Sequence, residues 1–294
     1  MPLACFSTAH SSPRLGKVFD DVLIDLSVAR PDLPSNMLDF LAAGEGALEA
    51  FRSVGPDTPG RVARSHACLH APVPDPQKFL AIGMNYGEHA KEAKEGGFAV
   101  PEKQLWFNKQ VSCIVGPYDD VVLPSVSDQL DYEVELGVVI GRACRHVPAE
   151  KARFVIGGYM VCNDVSVRDW QRHSPTHTIG KSFDTHGPCG PWLTLDHEIS
   201  DPHALKLRMT VNGEQRQSSS TDAMIHNVFE QIAYLSTVMT LRPGDIIATG
   251  TPSGVGAAMK PPKFLRVGDV MRAEIEGLGY IENCVVAEQT ATVL

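Results

Sequence analysis

The alternation of apolar and polar positions is clearest over residues 130–141, where the sequence is Leu-Asp-Tyr-Glu-Val-Glu-Leu-Gly-Val-Val-Ile-Gly. A period of two predicts a strand with three apolar side chains on one face, Tyr132, Val134 and Leu136. Glu133 and Glu135 then share the opposite face, roughly 6–7 Å apart, and can reach one cation between them. The apolar run over residues 138–140 favours a strand covered on both faces. On this stretch alone, an ordinary solvent-facing carboxylate pair is the simpler interpretation.

The remaining pattern predicts more strands than helices. Further strands are predicted at residues 17–28, 104–115, 120–123, 154–162, 192–195 and 205–211. Val211-Asn-Gly-Glu214 predicts a hairpin turn. Residues 225–241 give the clearest helical spacing, whereas a helix over residues 37–54 is weakened by Gly44 and Gly46. Because strands and helices do not alternate regularly, a Rossmann sheet and a TIM barrel are both poor fits.

Proline and glycine accumulate at residues 55–64 and again at 71–76, which is typical of a linker. We therefore predict a domain boundary near residue 73. It separates a small N-terminal module, residues 1–73, from a main domain, residues 74–294.

Composition and charge argue against several classes of function. The chain has 294 residues, of which 43% are hydrophobic and 21% charged, as in globular proteins, and no apolar run is long enough to span a bilayer. A net charge of −9 without a basic cluster argues against nucleic acid and anionic membranes as partners. The N-terminus shows no secretory signal. Seven scattered cysteines without Cys-x-x-Cys spacing predict reduced thiols and a cytoplasmic location.

A third carboxylate can join the pair. Asp164 ends a predicted strand 29 residues after Glu135, a separation that permits a neighbouring strand. Three carboxylates without nearby cysteine or paired histidine favour Mg²⁺, Mn²⁺ or Ca²⁺ over zinc. Alone, a strand-end turn is the commoner explanation of Asp164. His173 and His177 also have metal-like spacing, but the intervening Pro175 indicates a loop.

The segment over residues 87–97 is predicted to be a mobile lid. It follows a predicted strand at residues 78–86 and is too rich in charge to be held down by core packing. His89 and Glu92 are three apart and would share one helical face. A carboxylate beside an imidazole orients it as a water-activating base. A solvated helix with an incidental histidine remains the alternative.

Five motifs in this order resemble the fumarylacetoacetate hydrolase family over roughly residues 75–294. They are Gly-Met-Asn-Tyr-Gly-Glu-His-Ala-Lys-Glu (83–92), Leu-Asp-Tyr-Glu-Val-Glu-Leu (130–136), Gly-Tyr-Met-Val-Cys-Asn-Asp-Val-Ser-Val-Arg-Asp-Trp-Gln (158–171), Gly-Lys-Ser-Phe-Asp-Thr (180–185) and Gly-Asp-Ile-Ile-Ala-Thr-Gly-Thr-Pro-Ser-Gly-Val-Gly (244–256). One departure stands out, since Lys109 is followed by Gln110 where family members often have proline. It makes a role for Lys109 doubtful.

The resemblance implies a β-rich α/β fold, a mixed-sheet β-roll with a small N-terminal α+β module, usually assembled as a homodimer. It implies Mg²⁺ or Mn²⁺ on Glu133, Glu135 and Asp164. The catalytic residues it implies are His89, Glu92 and Lys181. The substrate-binding residues that it suggests are Arg168, Gln171, Thr251, Gly250 and Tyr86.

From these residues we expect an enzyme acting on a small-molecule oxo acid. The main expectation is a metal-dependent hydrolase that cleaves a C–C bond in an acylpyruvate-like 2,4-dioxo acid to pyruvate and a carboxylic acid. One alternative is a decarboxylase or isomerase acting at the same site on oxo-diacids such as oxaloacetate or 2-hydroxyhepta-2,4-diene-1,7-dioate. An alternative of another class is a catalytically silent binding protein of the same fold.

Overall fold

The structure is a computed structural model that describes residues 1–9, 11–95, 97 and 100–289. The strands are β1 (Leu3–Ser7), β2 (Arg14–Phe19), β3 (Val22–Asp25), β4 (Arg61–Ala63), β5 (Cys68–His70), β6 (Phe79–Gly83), β7 (Leu105–Lys109), β8 (Ile114–Val115), β9 (Val121–Leu123), β10 (Leu130–Asp131), β11 (Val134–Ile140), β12 (Ile156–Asn163), β13 (Ser166–Val167), β14 (Gly187–Leu195), β15 (Lys206–Val211), β16 (Glu214–Ser220), β17 (Ile246–Ala248), β18 (Val270–Ile275) and β19 (Gly279–Ala287). The α-helices are α1 (Leu26–Ala29), α2 (Met37–Ala42), α3 (Glu45–Arg52), α4 (Gly87–Glu95), α5 (Arg168–Gln171) and α6 (Val228–Val238). Short 3₁₀ helices cover Arg64–His66, Val111–Cys113, Ala149–Val155, Thr178–Lys181, Asp196–Glu198, Thr221–Ala223 and Gly256–Ala258.

Two large sheets dominate the described residues. The larger sheet has the order β4-β3-β2-β1-β14-β12-β11-β17-β6-β7, with β5 on β1 and β8 on β14, and the smaller has the order β16-β15-β18-β19-β9. Most neighbours are antiparallel, but β17 and β6, β8 and β14, and β9 and β19 are parallel. The predicted mixed-sheet, strand-rich α/β class is therefore confirmed. The hairpin between β15 and β16 turns at Asn212 and Gly213, as predicted.

Strand β11 lies at the centre of the larger sheet and is buried along its whole length. Its two faces enter different cores. Tyr132, Val134 and Leu136 pack in the core that also contains residues of β15 and β18, while Val139 packs with residues of α2 and α3 on the other side. The predicted alternation and two-sided burial are confirmed.

The predicted continuous strand is wrong at residues 132–133, which lie between β10 and β11. Side chains satisfy the backbone there instead of a strand partner. The amide of Glu133 donates to Asn163 Oδ1 at 2.9 Å, and the amide of Val134 donates to Gln217 Oε1 at 3.0 Å. This break separates Glu133 from the strand that carries Glu135.

The helix predicted over residues 37–54 is divided into α2 and α3. Gly44 interrupts it with a φ of 69°, a left-handed conformation that glycine adopts without strain. The strands of the N-terminal segment extend the larger sheet, because β1 pairs with β14 through Leu3 and Leu193. The division at residue 73 stays a prediction.

None of the described helices combines the length and the apolar character that crossing a bilayer demands. All seven cysteines are free thiols. The closest cysteine pair, Cys162 and Cys189, lies across neighbouring strands with the sulfur atoms 3.6 Å apart.

Candidate active site

The structure brings Glu133, Glu135 and Asp164 together in the interior. Strands β11 and β12 are antiparallel with Val134 opposite Asn163, so that Asp164 follows the end of β12 beside the two glutamates. One oxygen from each carboxylate lies within 4.8 Å of the others, and all three residues are buried. We call these residues the acidic triad. Three buried carboxylates in contact require positive charge nearby, because isolated buried charge is strongly unfavourable.

Cationic side chains compensate the negative charge of two members of the triad. Lys181 Nζ lies 2.6 Å from Glu133 Oε2 and 2.7 Å from Asp164 Oδ2. Arg168 Nη1 lies 2.7 Å from the other oxygen of Glu133. Burial alone would raise the pKa of Glu133, but the charges of Lys181 and Arg168 outweigh it and hold that pKa well below its usual range.

The negative charge of Glu135 is less well compensated by neighbouring cationic side chains. Its Oε2 accepts a hydrogen bond of 2.8 Å from the amide of Gly250. Burial, and then the charges of Asp164 and Glu133, raise the pKa of Glu135 well above its usual range. A carboxylate held next to two others in this way favours either a proton or an added cation.

A divalent cation therefore fits the triad. Its donor atoms are all carboxylate oxygens, which Mg²⁺ and Mn²⁺ prefer, and Ca²⁺ accepts the same donors. Such an ion would supply the positive charge that Glu135 lacks. Among the described residues, these three side chains form a group whose ligand atoms lie close enough together to hold a metal ion.

Helix α4, which we call the lid helix, covers the site as a polar segment. Only Ala90 is buried within it, which agrees with the prediction that core packing does not hold it. The predicted end at Gly96 and Gly97 is only partly visible, since Gly96 lies outside the described residues. His89 Nδ1 lies 3.4 Å from Glu92 Oε2, so the predicted pair is in contact, although at a long distance.

The lid helix docks on the loop that follows β17. The amide of Gly254 donates to both carboxylate oxygens of Glu92, at 3.1 and 3.2 Å, and Ser253 Oγ donates to Glu88 at 3.2 Å. Gly254 has a φ of 101°, and a Cβ atom there would lie 2.1 Å from the carbonyl oxygen of Arg216. Only glycine can occupy this position, and it presents its amide to Glu92.

A cavity of about 150 Å³ lies between the triad and the lid helix. Of the predicted residues, its wall includes His89, Glu92, Glu133, Glu135, Arg168, Gln171, Lys181 and Thr251. Asp164 lies behind this wall, bonded to Lys181. Gly250 also lies off the wall and supports Glu135 through its amide.

Tyr86 stands apart from the other predicted binding residues. It packs in the hydrophobic core and does not belong to the cavity wall, and its buried hydroxyl has no hydrogen-bond partner among the described residues. Burial, followed by the charge of Glu135, raises the pKa of Tyr86. A role in substrate binding for Tyr86 and Gly250 stays a prediction.

Sequence reasoning missed two residues that organise the site. Lys109, whose role looked doubtful, is fully buried, lies 2.7 Å from Asp164 Oδ1 and donates a very short hydrogen bond to the carbonyl of Lys181. Asp131 is buried, pairs with Arg168 Nε at 2.8 Å and accepts from the amides of Gly256 and Ala257. A signal existed for the first, because alternation along β7 places Lys109 on the same buried face as Phe107.

Comparisons of sequence and of structure find known proteins that are similar to this chain. A sequence model of a family described as "Fumarylacetoacetate (FAA) hydrolase C-terminal" matches residues 78–286. Oxaloacetate tautomerase FAHD2A, mitochondrial, from Bos taurus is 43% identical over 291 residues, which cover 97% of this chain and 92% of that protein. Among solved structures, fumarylacetoacetate hydrolase from psychrophilic Exiguobacterium antarcticum matches with a TM-score of 0.86 and 34% identity over 98% of this chain and 100% of that chain. Maleylpyruvate hydrolase from Sphingobium sp. SYK-6, in complex with manganese (II) ion and pyruvate, matches with a TM-score of 0.81, 33% identity and the same coverage.

The relatives also correct one expectation. The predicted cytoplasmic location is wrong by this comparison, because the tautomerases from Bos taurus, Xenopus laevis and Homo sapiens are all named mitochondrial. The prediction depended on scattered, reduced thiols. Such thiols indicate a reducing compartment and do not distinguish one reducing compartment from another.

Proposed function

The chain belongs to the fumarylacetoacetate hydrolase family, and from that premise we propose that it is an enzyme that interconverts the keto and enol forms of an oxo-diacid of the oxaloacetate class. The observation that carries the proposal is the buried acidic triad, compensated by Lys181 and Arg168 at the wall of a small cavity. The printed name of the Bos taurus relative favours this reaction over the C–C bond hydrolysis that we expected first.

The size and charge of the cavity support a small anionic substrate. At about 150 Å³ it is smaller than the roughly 300–1,000 Å³ of pockets for drug-sized ligands. A triad with one divalent ion leaves a local charge of −1, so an oxo-diacid needs further cations. Arg168 provides one, and its buried Nη2 has no partner among the described residues. That donor is available to a carboxylate of the substrate.

Metal binding is part of the proposal. Glu133, Glu135 and Asp164 would hold Mg²⁺ or Mn²⁺, with Ca²⁺ as a further candidate. Bound there, the ion would act as a Lewis acid that favours negative charge on an adjacent substrate oxygen. The side chains Lys109, Lys181 and Arg168 form ion pairs with Glu133 and Asp164 and hold their oxygens in position.

The proton transfers fall to His89 and Lys181. Tautomerisation moves one proton from C3 to O2 of the substrate, consumes no water and changes no oxidation state. With Nδ1 directed at Glu92, His89 has Nε2 left to accept the C3 proton. The electron pair of that C–H bond forms the C2–C3 double bond, and negative charge develops on O2. The Lys181 ammonium stabilises this charge and donates the proton that completes the enol, and proton exchange with water restores both side chains.

The lid helix protects these steps from solvent. Its contacts with Gly254 and Ser253 close the cavity on the side of His89. In a site from which water is excluded, the interaction of Lys181 with developing charge is stronger than in water. The same contacts fix the carboxylate of Glu92, which orients the imidazole.

Enol absorbance in the ultraviolet tests the proposal directly. We expect the full chain with Mn²⁺ or Mg²⁺ to accelerate the interconversion of enol and keto oxaloacetate. Exhaustive chelation should remove the acceleration, and added Mn²⁺ should restore it. Lys181→Met should abolish it, whereas the exposed Lys91→Met on the lid helix should not. An undiminished rate after chelation, or no acceleration at all, would contradict the proposal.

Hydrolysis of a C–C bond in an acylpyruvate is the second candidate. The contact between His89 and Glu92 favours it, because an oriented imidazole can also deprotonate a water molecule. A panel of acylpyruvates, assayed for pyruvate release beside oxaloacetate, separates the two reactions. Pyruvate release that outpaces tautomerisation would make hydrolysis the principal activity. Decarboxylation of oxaloacetate, the remaining oxo-diacid reaction, is followed in the same assay through carbon dioxide.

We also propose that the protein is a homodimer. The support is the family resemblance rather than an interface among the described residues. Light scattering coupled to size exclusion measures the mass directly, and the chain mass is 31.9 kDa. A single species at that mass, at the concentrations used for activity, would contradict the dimer.

A further inference from the structure

His177 occupies a strained position on the wall of the cavity. It lies with Gln171 and Arg172 on the side formed by the loop before Lys181. Its φ is 59°, a left-handed conformation that is uncommon for residues other than glycine, although histidine is enriched there with asparagine and aspartate. Such strain persists only where the surroundings enforce it and is concentrated at functional sites.

The hydrogen bond of the His177 ring defines which of its two ring nitrogens remains available to a ligand. Its Nδ1 lies 3.2 Å from the carbonyl oxygen of Gln171. A carbonyl oxygen only accepts, so Nδ1 carries the hydrogen and donates it. The second nitrogen, Nε2, has no protein partner among the described residues. Nε2 is therefore the nitrogen left for a ligand, and a bound carboxylate itself favours the form of the ring in which Nε2 donates.

The ring of Phe107 links His177 to the catalytic side of the cavity. Lys181 Nζ lies 5.2 Å from the centroid of that ring, and the His177 ring packs perpendicular to it at 6.1 Å between centroids. The cavity wall thus combines charged side chains at the triad, the apolar ring of Phe107 and the polar side chains His177 and Arg172. This distribution matches a short molecule that carries a carboxylate at each end.

We propose that His177 and Arg172 form the subsite for the second carboxylate of an oxo-diacid, and that His177 selects diacids over oxo-monoacids. The inference depends on the proposed function for its substrate class. Binding energy from a carboxylate remote from the reacting carbons is the usual way in which an enzyme discriminates between two such acids.

Binding of non-reacting analogues tests this subsite separately from turnover. The probes are 3,3-difluorooxaloacetate and 3,3-difluoro-2-oxobutanoate, which lack the C3 hydrogen and differ in the second carboxylate. Their dissociation constants are measured by calorimetry on the full chain loaded with Mn²⁺. The test variant is His177→Asn, because asparagine tolerates the left-handed backbone and keeps a donor for Gln171. The matched control is His173→Asn, an exposed histidine four residues earlier that is not part of the cavity wall.

We expect His177→Asn to weaken the diacid about tenfold or more and the monoacid less than twofold, since the hydrogen bond to the second carboxylate is lost for the diacid alone. Arg172→Gln should shift the ratio in the same direction, and His173→Asn should leave it unchanged. Equal loss for both analogues in His177→Asn, or an unchanged ratio, would overturn the subsite. If diacid selectivity is intact in the wild type but enol interconversion is not accelerated, the subsite stands and the proposed function fails.

Discussion

The triad and the lid helix face the same cavity but are held in opposite ways. The triad lies in and beside the central strands β11 and β12, and Glu133 and Asp164 form ion pairs of 2.6–2.7 Å with Lys109, Lys181 and Arg168. The lid helix buries only Ala90 and is held by hydrogen bonds to the loop at Gly254 and Ser253. The residues proposed to hold an ion therefore lie in the buried part, and the residue proposed to move a proton lies on a helix with little core packing. Changes in the triad should affect stability and activity together, whereas changes in the lid helix should affect activity alone.

The largest effect is expected from Asp164→Asn. Removing this charge leaves Lys109 and part of Lys181 without a buried partner, which costs about 3–5 kcal/mol of unfolding free energy. Weakened metal binding should also lower activity by roughly 10³-fold. Urea unfolding, Mn²⁺ calorimetry and turnover measure the three effects. Asp57→Asn, whose side chain is fully exposed, is the control. Unchanged Mn²⁺ affinity would show that Asp164 is not a ligand.

His89→Gln should lower turnover by roughly 10²- to 10⁴-fold, the usual contribution of a positioned acid–base residue. Because His89 lies on the lid helix, the free energy of unfolding should change by less than about 0.5 kcal/mol. Mn²⁺ affinity should also stay the same. Lys91→Gln on the exposed side of the lid helix controls for the helix itself. A stability loss as large as that of Asp164→Asn would remove the contrast between the two regions.

Acid should lower the free energy of unfolding through His186, which precedes β14 in the larger sheet. Burial lowers the pKa of His186 to about 3 and outweighs the hydrogen bond between Nε2 and the carbonyl of Val122, which raises it. The buried Nδ1 has no hydrogen-bond partner among the described residues. The unfolded chain takes up that proton near pH 6.5, so stability from this group is complete above that pH and is lost as the pH falls toward 3. Unfolding in urea between pH 7 and 4 should show a loss of about 3 kcal/mol from this group. His186→Asn should flatten this part of the profile, and an unchanged slope would contradict the assignment.

The smallest effect is expected from Ser253→Ala, which removes the hydrogen bond from Ser253 Oγ to Glu88. The lid helix should open more easily by about 0.5–1 kcal/mol. Amide hydrogen exchange over Gly87–Glu95 should quicken two- to fivefold, with no change in β11 and β12. Ser12→Ala, in an exposed loop, is the control. Faster exchange in the central strands would mean that the two regions open together.

Local patterns predicted the Glu133–Glu135 pair and the contact between His89 and Glu92, because each depends on a spacing of two or three residues. Period two placed Glu133 and Glu135 on one face, a strand end placed Asp164 beside them, and a spacing of three paired His89 with Glu92. Lys181 and Arg168 came from the family resemblance instead. Lys109, Asp131 and His177 were missed or set aside, because their neighbours in space belong to other segments. The break at residues 132–133 was missed for the same reason, since Asn163 and Gln217 supply its hydrogen bonds.

The sequence by itself determined that the chain is rich in strands and which of their faces are apolar, since burial follows the period of each element, while the mixed sheet came from the family resemblance. Only the tertiary structure decided which charges meet. Lys181 reaches Glu133 across 48 positions of the chain, and Lys109 reaches Asp164 across 55. Buried ions are stable only in each other's company, and folding alone brings together charges so far apart in sequence.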